Sequence, residues 1–403
     1  MASSTAAAIA LRFPDLVRVA GETLCGRVDL HVALAQEDHI EQLRVKLRGS
    51  ITTKITTQNG QTTYTHVQTI PLVHWSQILW KQGTAFPEPG SHVLSCPFQF
   101  QLPANLPPSF YCASNSRGAI SYSLEVVGDR PGLFRLNRRL RRLISVVPAA
   151  SQGQLLAKES LNQGWSGPWR DIKAAEKMRQ GIWGDYSFAR ATLSLPDLPS
   201  FPIATPIPFT LHIMTETKSV HRSERPEDKH GKPLFPAPPT RSSELTRDLH
   251  RQTEVRVRSR TRHVNDTFRL KQGIPSSGDG QSAVVNEPEW VPQEDKDRGI
   301  WRRTVQLNST LVFPFAPTFK TETLDWTYEL RFVVPFPGFG NNLKIRIPIH
   351  LGAGSACPPP PIGAAGSSNI TYADILPAGP PPMLDLPPSY WAGEDHDWGD
   401  EKN

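Results

Sequence analysis

A two-residue period returns along most of this chain, and it limits the fold more than any other feature. Val28, Leu30 and Val32 share one side of the run from Gly26. Leu43, Val45 and Leu47 alternate with charged neighbours, and Ile120, Tyr122, Leu124 and Val126 alternate with Ser121, Ser123 and Glu125. Residues i and i+2 lie on one face of a strand but not of a helix, so such runs bury an apolar stripe only as strands. Turn signals separate them. Gly21-Glu22 and Pro89-Gly90 turn the chain, and Asn59-Gly60 between two threonine-rich runs is a strong hairpin signal. The 39 Pro and 28 Gly in 403 residues also oppose a mainly helical protein and fit short strands joined by turns.

The expected fold is all-β: two tandem immunoglobulin-like antiparallel β-sandwiches. The first set of strands runs over 13–149 and closes with Ile144 to Val147. Ala6 to Leu11 reads as a loose N-terminal stretch without the basic residues of a signal peptide. Residues 150–180 read as a connector, with a short helix over Asp171 to Gln180 stopped by Gly181. The second sandwich is expected over 181–353, interrupted near 218–250 and 271–298 by stretches rich in Pro, Gly, Ser and charge that read as disordered insertions. Residues 354–403 read as a flexible Pro-rich tail.

Several function classes are disfavoured. No G-x-S-x-G, H-E-x-x-H, P-loop or G-x-G-x-x-G is present, so the chain is not expected to be an enzyme. Cys25, Cys96, Cys112 and Cys357 lack metal-ligand spacing and read as unpaired thiols of a reducing compartment. The histidines are scattered, so no metal and no cofactor are expected. No run of eighteen apolar residues predicts a membrane helix. The formal charge of +6 permits an anionic partner, but no recognition helix or zinc spacing points to nucleic acid.

Three features carry the candidate function. Pro387-Pro388-Ser389-Tyr390 is a P-P-x-Y motif, of which the composition predicts about 0.06 by chance. Two prolines preset the polyproline II shape that a WW domain reads, and Tyr390 fills a second pocket. Arg135, Arg138, Arg139, Arg141 and Arg142 form a basic cluster. Arg256, Arg258, Arg260 and Arg262 alternate with Val255, Val257, Ser259 and Thr261, which on one strand would put four guanidinium groups on one face. Both arginine sets are candidate docking surfaces for acidic cargo segments or anionic lipid headgroups, with a solvated strand face and a basic loop as the plain alternative and a nuclear-import signal as a third reading of the first.

The order of landmarks resembles a known family. Phe13-Pro14, Gly21-Glu22 with Gly26, Val45 to Gly49, Phe98 to Pro103 with Pro108-Ser109-Phe110, and Ile120-Ser121-Tyr122 are similar to the arrestin N-domain. Ala191 to Pro196 with Phe201 to Ile213 resembles the opening of an arrestin C-domain; Thr323 to Phe332 and Leu343 to Ile349 resemble its closing strands. With the P-P-x-Y tail, the chain resembles α-arrestins, the fungal arrestin-related trafficking adaptors. The resemblance implies a cytoplasmic adaptor, peripheral at plasma membrane or endosomes. Its expected role is to bring a WW-domain HECT-class ubiquitin ligase to the cytosolic tails of membrane transporters or receptors. An arrestin-fold scaffold acting independently of ubiquitin is the alternative. Relatives often carry two P-P-x-Y motifs; this chain has one, so avidity within one chain lacks its second site.

Overall fold

The computed structural model describes residues 7–113, 116–132, 135–181, 184, 186–227, 230–231, 233–270, 283–294 and 297–358. It is nearly all β, arranged as antiparallel sheets of two tandem sandwiches. In the N-terminal half, β1 (Ile9–Arg12), β2 (Thr23–His31) and β5 (Val93–Gln101) form one sheet in the order β1-β2-β5. The facing sheet runs β4 (Thr62–Lys81), β3 (Gln42–Asn59), β7 (Ser116–Asp129). The far side of β7 is shared by β6 (Phe110–Ala113) and β8 (Arg138–Ile144).

The long hairpin β3–β4 turns at Gly60, whose φ of 61° is the left-handed conformation that glycine adopts without strain. Along β3 the burial alternates, with Leu43, Val45, Leu47 and Ile51 in the core. A Cβ on Gly49 would stand 2.5 Å from the Tyr122 ring, so the absent side chain makes room for that ring. Tyr122 in turn donates its hydroxyl to the Pro107 carbonyl at 2.7 Å, which satisfies a polar group in a buried place.

In the C-terminal half, one sheet runs β9 (Trp169–Arg179), β10 (Tyr186–Pro196), β11 (Ile207–Glu216), β14 (Arg298–Leu311). The other runs β13 (Arg260–Arg269), β12 (Thr246–Val257), β15 (Leu324–Pro335), with β16 (Asn342–Ile349) also on β15.

The halves meet through an aromatic seam. Phe110 of β6 stacks on Trp326 of β15 with centroids 4.0 Å apart and planes 6° from parallel. The Arg251 guanidinium lies over Phe110 at 4.9 Å and over Phe268 at 5.1 Å, held by two hydrogen bonds to Asp266. Gly118 leaves space for Leu324, since a Cβ there would approach it to 2.4 Å.

Several local expectations are corrected. The stretch 171–179 is not a helix but the strand β9, paired along its whole length with β10. Its Lys, Glu and Ala content favours helix, but Ile172, Ala174 and Met178 alternate toward the core, and sheet pairing overrides weak local propensity. The connector's helix is instead α2 (Gln152–Gln163). Ser151 caps it by accepting from the Gln154 amide at 3.3 Å, and the Gln154 side chain accepts from the Ser151 amide at 3.0 Å. That reciprocal box is a helix-start signal in Ser151-Gln152-Gly153-Gln154. A second helix, α1 (Val32–Glu37), takes Val32 out of the strand pattern. Ile9–Arg12 is not loose, because β2 offers it a full antiparallel register.

The first expected insertion holds short elements at Val220–His221 and Ser242–Glu244, and β12 begins at Thr246. In the second, Ala283–Val285 and Glu289–Pro292 pair with β14, where Trp290 meets Trp301 edge-on at 5.1 Å. Residues 271–282 of that stretch lie outside the described residues, as does most of the expected tail.

Candidate docking surfaces

Strand alternation builds the main candidate surface. While β3 sends Leu43, Val45 and Leu47 inward, it must send Gln42, Arg44, Lys46, Arg48 and Lys54 outward. Register places Glu125 of β7 beside Lys46, and Arg141 of β8 beside Glu125. Arg139 stands opposite Val127, on the same face.

The result is five cations, Arg44, Lys46, Arg48, Arg139 and Arg141, around one buried carboxylate. Glu125 is 7% exposed and lies 3.1 Å from Arg48 Nε and 3.6 Å from Arg139 Nη1. Arg44 pairs at 2.7 Å with Asp129 at the end of the face. Two carboxylates do not neutralise five cations. Burial, with help from Arg44 and Arg48, pushes the Lys46 pKa below its ordinary range, and Glu125 acts in the opposite direction. The Arg44 Nε is buried without a hydrogen-bond partner, and so is the Arg48 Nε despite its closeness to Glu125. Those two nitrogens are shut off from solvent, but the Arg44, Arg48 and Arg139 side chains are part-exposed, and a guanidinium fork can grip a carboxylate or phosphate through two parallel bonds.

The predicted basic cluster is thus only partly a unit. Arg138, Arg139, Arg141 and Arg142 lie on a regular edge strand, and its alternation splits them between faces. Arg139 and Arg141 join the outer face. Arg138 leaves it to make a two-bond ion pair with Asp38, at 2.8 and 3.1 Å, and Arg142 is opposite Leu124. Arg135 is exposed in the loop before the strand. Arg44, Lys46 and Arg48 were not singled out from sequence. Their alternation was legible, but the arrival of β7 and β8 beside them was not.

The second arginine set is corrected outright. Arg256 to Arg262 is not one strand but a hairpin. β12 ends at Val257, Arg258 turns with φ of 52°, and β13 starts at Arg260. Arg256 pairs with Glu254 at 2.8 Å and lies 3.8 Å from Asp325. The Arg258 amide donates to Gln68 Oε1 at 2.8 Å, and Thr53 Oγ1 donates to the Arg256 carbonyl at 3.0 Å, which pins the hairpin on the N-terminal half. Arg260 and Arg262 remain together, with no ion-pair partner among the described residues. With Thr261, Ile55 and Thr57 they line a cleft of about 230 Å³ between the halves.

Pro387, Pro388 and Tyr390 lie outside the described residues. Among those described, no group of three or more His, Cys, Asp or Glu is placed to hold a metal, and all four cysteines are free thiols. No described helix is long and apolar enough to cross a membrane.

Comparison with known proteins agrees with this architecture. Residues 8–151 match the family model described as arrestin (or S-antigen), N-terminal domain. That span begins beside β1 and ends at the cap of α2, so it takes in the whole N-terminal sandwich. The match identifies an arrestin-like N-terminal domain over that span. No curated protein matches the chain. An arrestin domain supports a trafficking adaptor or scaffold in general, and arrestins are generally non-enzymatic.

Proposed function

We propose that this chain is a non-enzymatic adaptor that brings a WW-domain HECT-class ubiquitin ligase to membrane cargo, promoting its ubiquitylation, endocytosis and sorting. One observation carries the reading: a P-P-x-Y motif at Pro387, Pro388 and Tyr390 follows an arrestin N-terminal domain match in the same chain. The motif is the ligase handle. A single site of this kind binds at roughly micromolar affinity, on the order of −8 kcal/mol. The adaptor works from the cytoplasm at the plasma membrane or endosomes, because both cargo tails and the ligase are reached there.

Cargo needs a second surface. The cations around Glu125 are the leading one, and the Arg260–Arg262 cleft is the other. Cytosolic tails with acidic runs and the anionic inner leaflet both supply the charge these surfaces lack.

The test is titration of a peptide spanning residues 381–395 into WW domains, with and without Tyr390→Ala, alongside affinity capture by the intact chain. The alanine change is expected to abolish binding and to remove the ligase from the captured set. Equal binding by the two peptides would rule out the motif as the handle.

A further inference from the structure

Strand β4 is the outer edge of its sheet. It pairs with β3 from end to end and with no other strand among the described residues. Natural sheets blunt such edges with charge, proline or bulges, because unpaired backbone groups accept a further strand. The opposite edge follows that rule, with four arginines in the seven residues of β8. β4 does not. From Thr62 to Trp80 it carries no Asp, Glu, Lys or Arg.

Register slips at Leu43/Arg44 and at Gly49/Ser50 bracket one segment of it. Between them His74, Trp75, Ser76, Gln77 and Ile78 are all exposed, so both faces are open. Trp75 is 39% and Ile78 53% exposed. This short run offers water both unpaired backbone groups and apolar side chains, and an added strand would cover both.

What stands behind the edge selects the occupant. Arg48 is opposite His74, Lys46 opposite Ser76 and Arg44 opposite Ile78. A strand added outside β4 would lie about 10 Å from β3, two strand spacings away. Arg44 and Arg48 now reach the other way, to Asp129 and Glu125 of β7, and would exchange those partners to meet the new strand, whereas Ser76 is small enough for Lys46 to pass over it. A second copy of β4 would bring no carboxylate to those cations. A membrane surface could meet the cations but not the backbone edge.

We propose that the β4 edge between Val73 and Ile78 takes an extended acidic segment of a partner polypeptide as an added strand. Carboxylates at alternate positions of that segment lie toward Arg44, Lys46 and Arg48. The backbone ladder supplies affinity and the cations select register and charge. This rests on the adaptor reading only in taking the segment to be the cytosolic part of a cargo.

The experiment uses the intact chain and a labelled probe, Thr-Glu-Val-Glu-Thr-Glu-Val-Glu-Thr, followed by fluorescence anisotropy. Two further probes carry N-methyl groups on the odd or on the even residues. Alternate N–H groups of an extended peptide point to opposite edges, so only one pattern blocks the ladder. The parent probe is expected to bind, one methylated probe to lose at least tenfold, and the other to stay within threefold. Lys46→Glu with Arg48→Glu is expected to lose at least tenfold, read well below a melting temperature that the new carboxylates beside Glu125 will lower, while WW-peptide binding by Pro387–Tyr390 is kept. No binding of the parent, equal binding of all three probes, or indifference to the double reversal would overturn the proposal. A dimer in sedimentation that Ile78→Lys dissociates would give the edge to a second copy and overturn it as well. Failure of the WW titration alone would sink the ligase reading and leave this one standing.

Discussion

The outer faces of the two long-stranded sheets, one in each half, are built alike and charged differently. On the C-terminal face, Asp248 pairs with Arg269, Glu254 with Arg256, Glu329 with Arg331, and Asp325 with Lys320. Two of these pairs cross between strands and two lie within one, and Lys344 and Arg346 of β16 add exposed cations to the same face, so the faces differ in degree: here most carboxylates have a cation of their own. On the N-terminal face one buried glutamate serves several cations. Both faces satisfy the sheet equally well, because each strand turns its apolar stripe inward. The fold therefore does not require the imbalance on the N-terminal face, and the proposed docking of an anionic partner builds on that surplus charge.

The largest way to break this contrast is to part the halves. Trp326→Ala removes the ring stacked on Phe110 and is expected to cost about 3–5 kcal/mol in chemical denaturation. If the N-terminal face acts alone, acidic-probe binding survives in the folded fraction of that variant. A combined site spanning the seam would lose binding along with the stack.

Glu125→Gln should act on the N-terminal face itself. It leaves Arg48 and Arg139 facing a neutral group and is expected to cost about 1–2 kcal/mol, discounted because both arginines are partly in water. The same change should tighten acidic-probe binding. It should also lower the Lys46 pKa further, since Glu125 now raises it, and titration by NMR of the labelled lysine would read this. Weaker probe binding by the variant would mean that Glu125 positions the cations rather than competing for them.

On the C-terminal face, Arg269→Ala and Arg331→Ala are each expected to cost less than about 1 kcal/mol and to leave probe binding unchanged. An equal loss of binding from either face would reduce the contrast to general electrostatics, separable by its salt dependence.

The smallest effect concerns pH. The hydrogen bond from Arg138 holds the Asp38 carboxyl below its ordinary range. The folded protein then binds this proton less readily than the unfolded chain. The ion pair therefore contributes stability above the ordinary carboxylate range near pH 4, and this is lost as the pH falls through the lowered value. Asp38→Asn should lower the urea midpoint slightly at pH 6 and leave it unchanged near pH 2. A constant difference across that span would assign the effect to packing.

Local pattern alone determined much of this protein. The two-residue period in Leu43, Val45 and Leu47, the Asn59-Gly60 turn and the proline content specified strands and a tandem all-β architecture, because alternation is a property of neighbours in the chain. The arginine-rich strand β8 was visible as composition. Tertiary structure decided which side chains act together. Arg256 to Arg262 reads as one strand until the chain turns at Arg258, a residue with no side-chain signature for a left-handed turn. The stretch 171–179 reads as helix until β10 offers eleven residues of register to pair with. Arg44, Lys46 and Arg48 lie about ninety residues from Arg139 and Arg141 in the chain. Only the pairing of β7 between them makes one charged face, and only the lack of a further partner for β4 among the described residues leaves an open edge beside it. Both are long-range facts of sheet order, carried by backbone hydrogen bonds that no single stretch of sequence encodes.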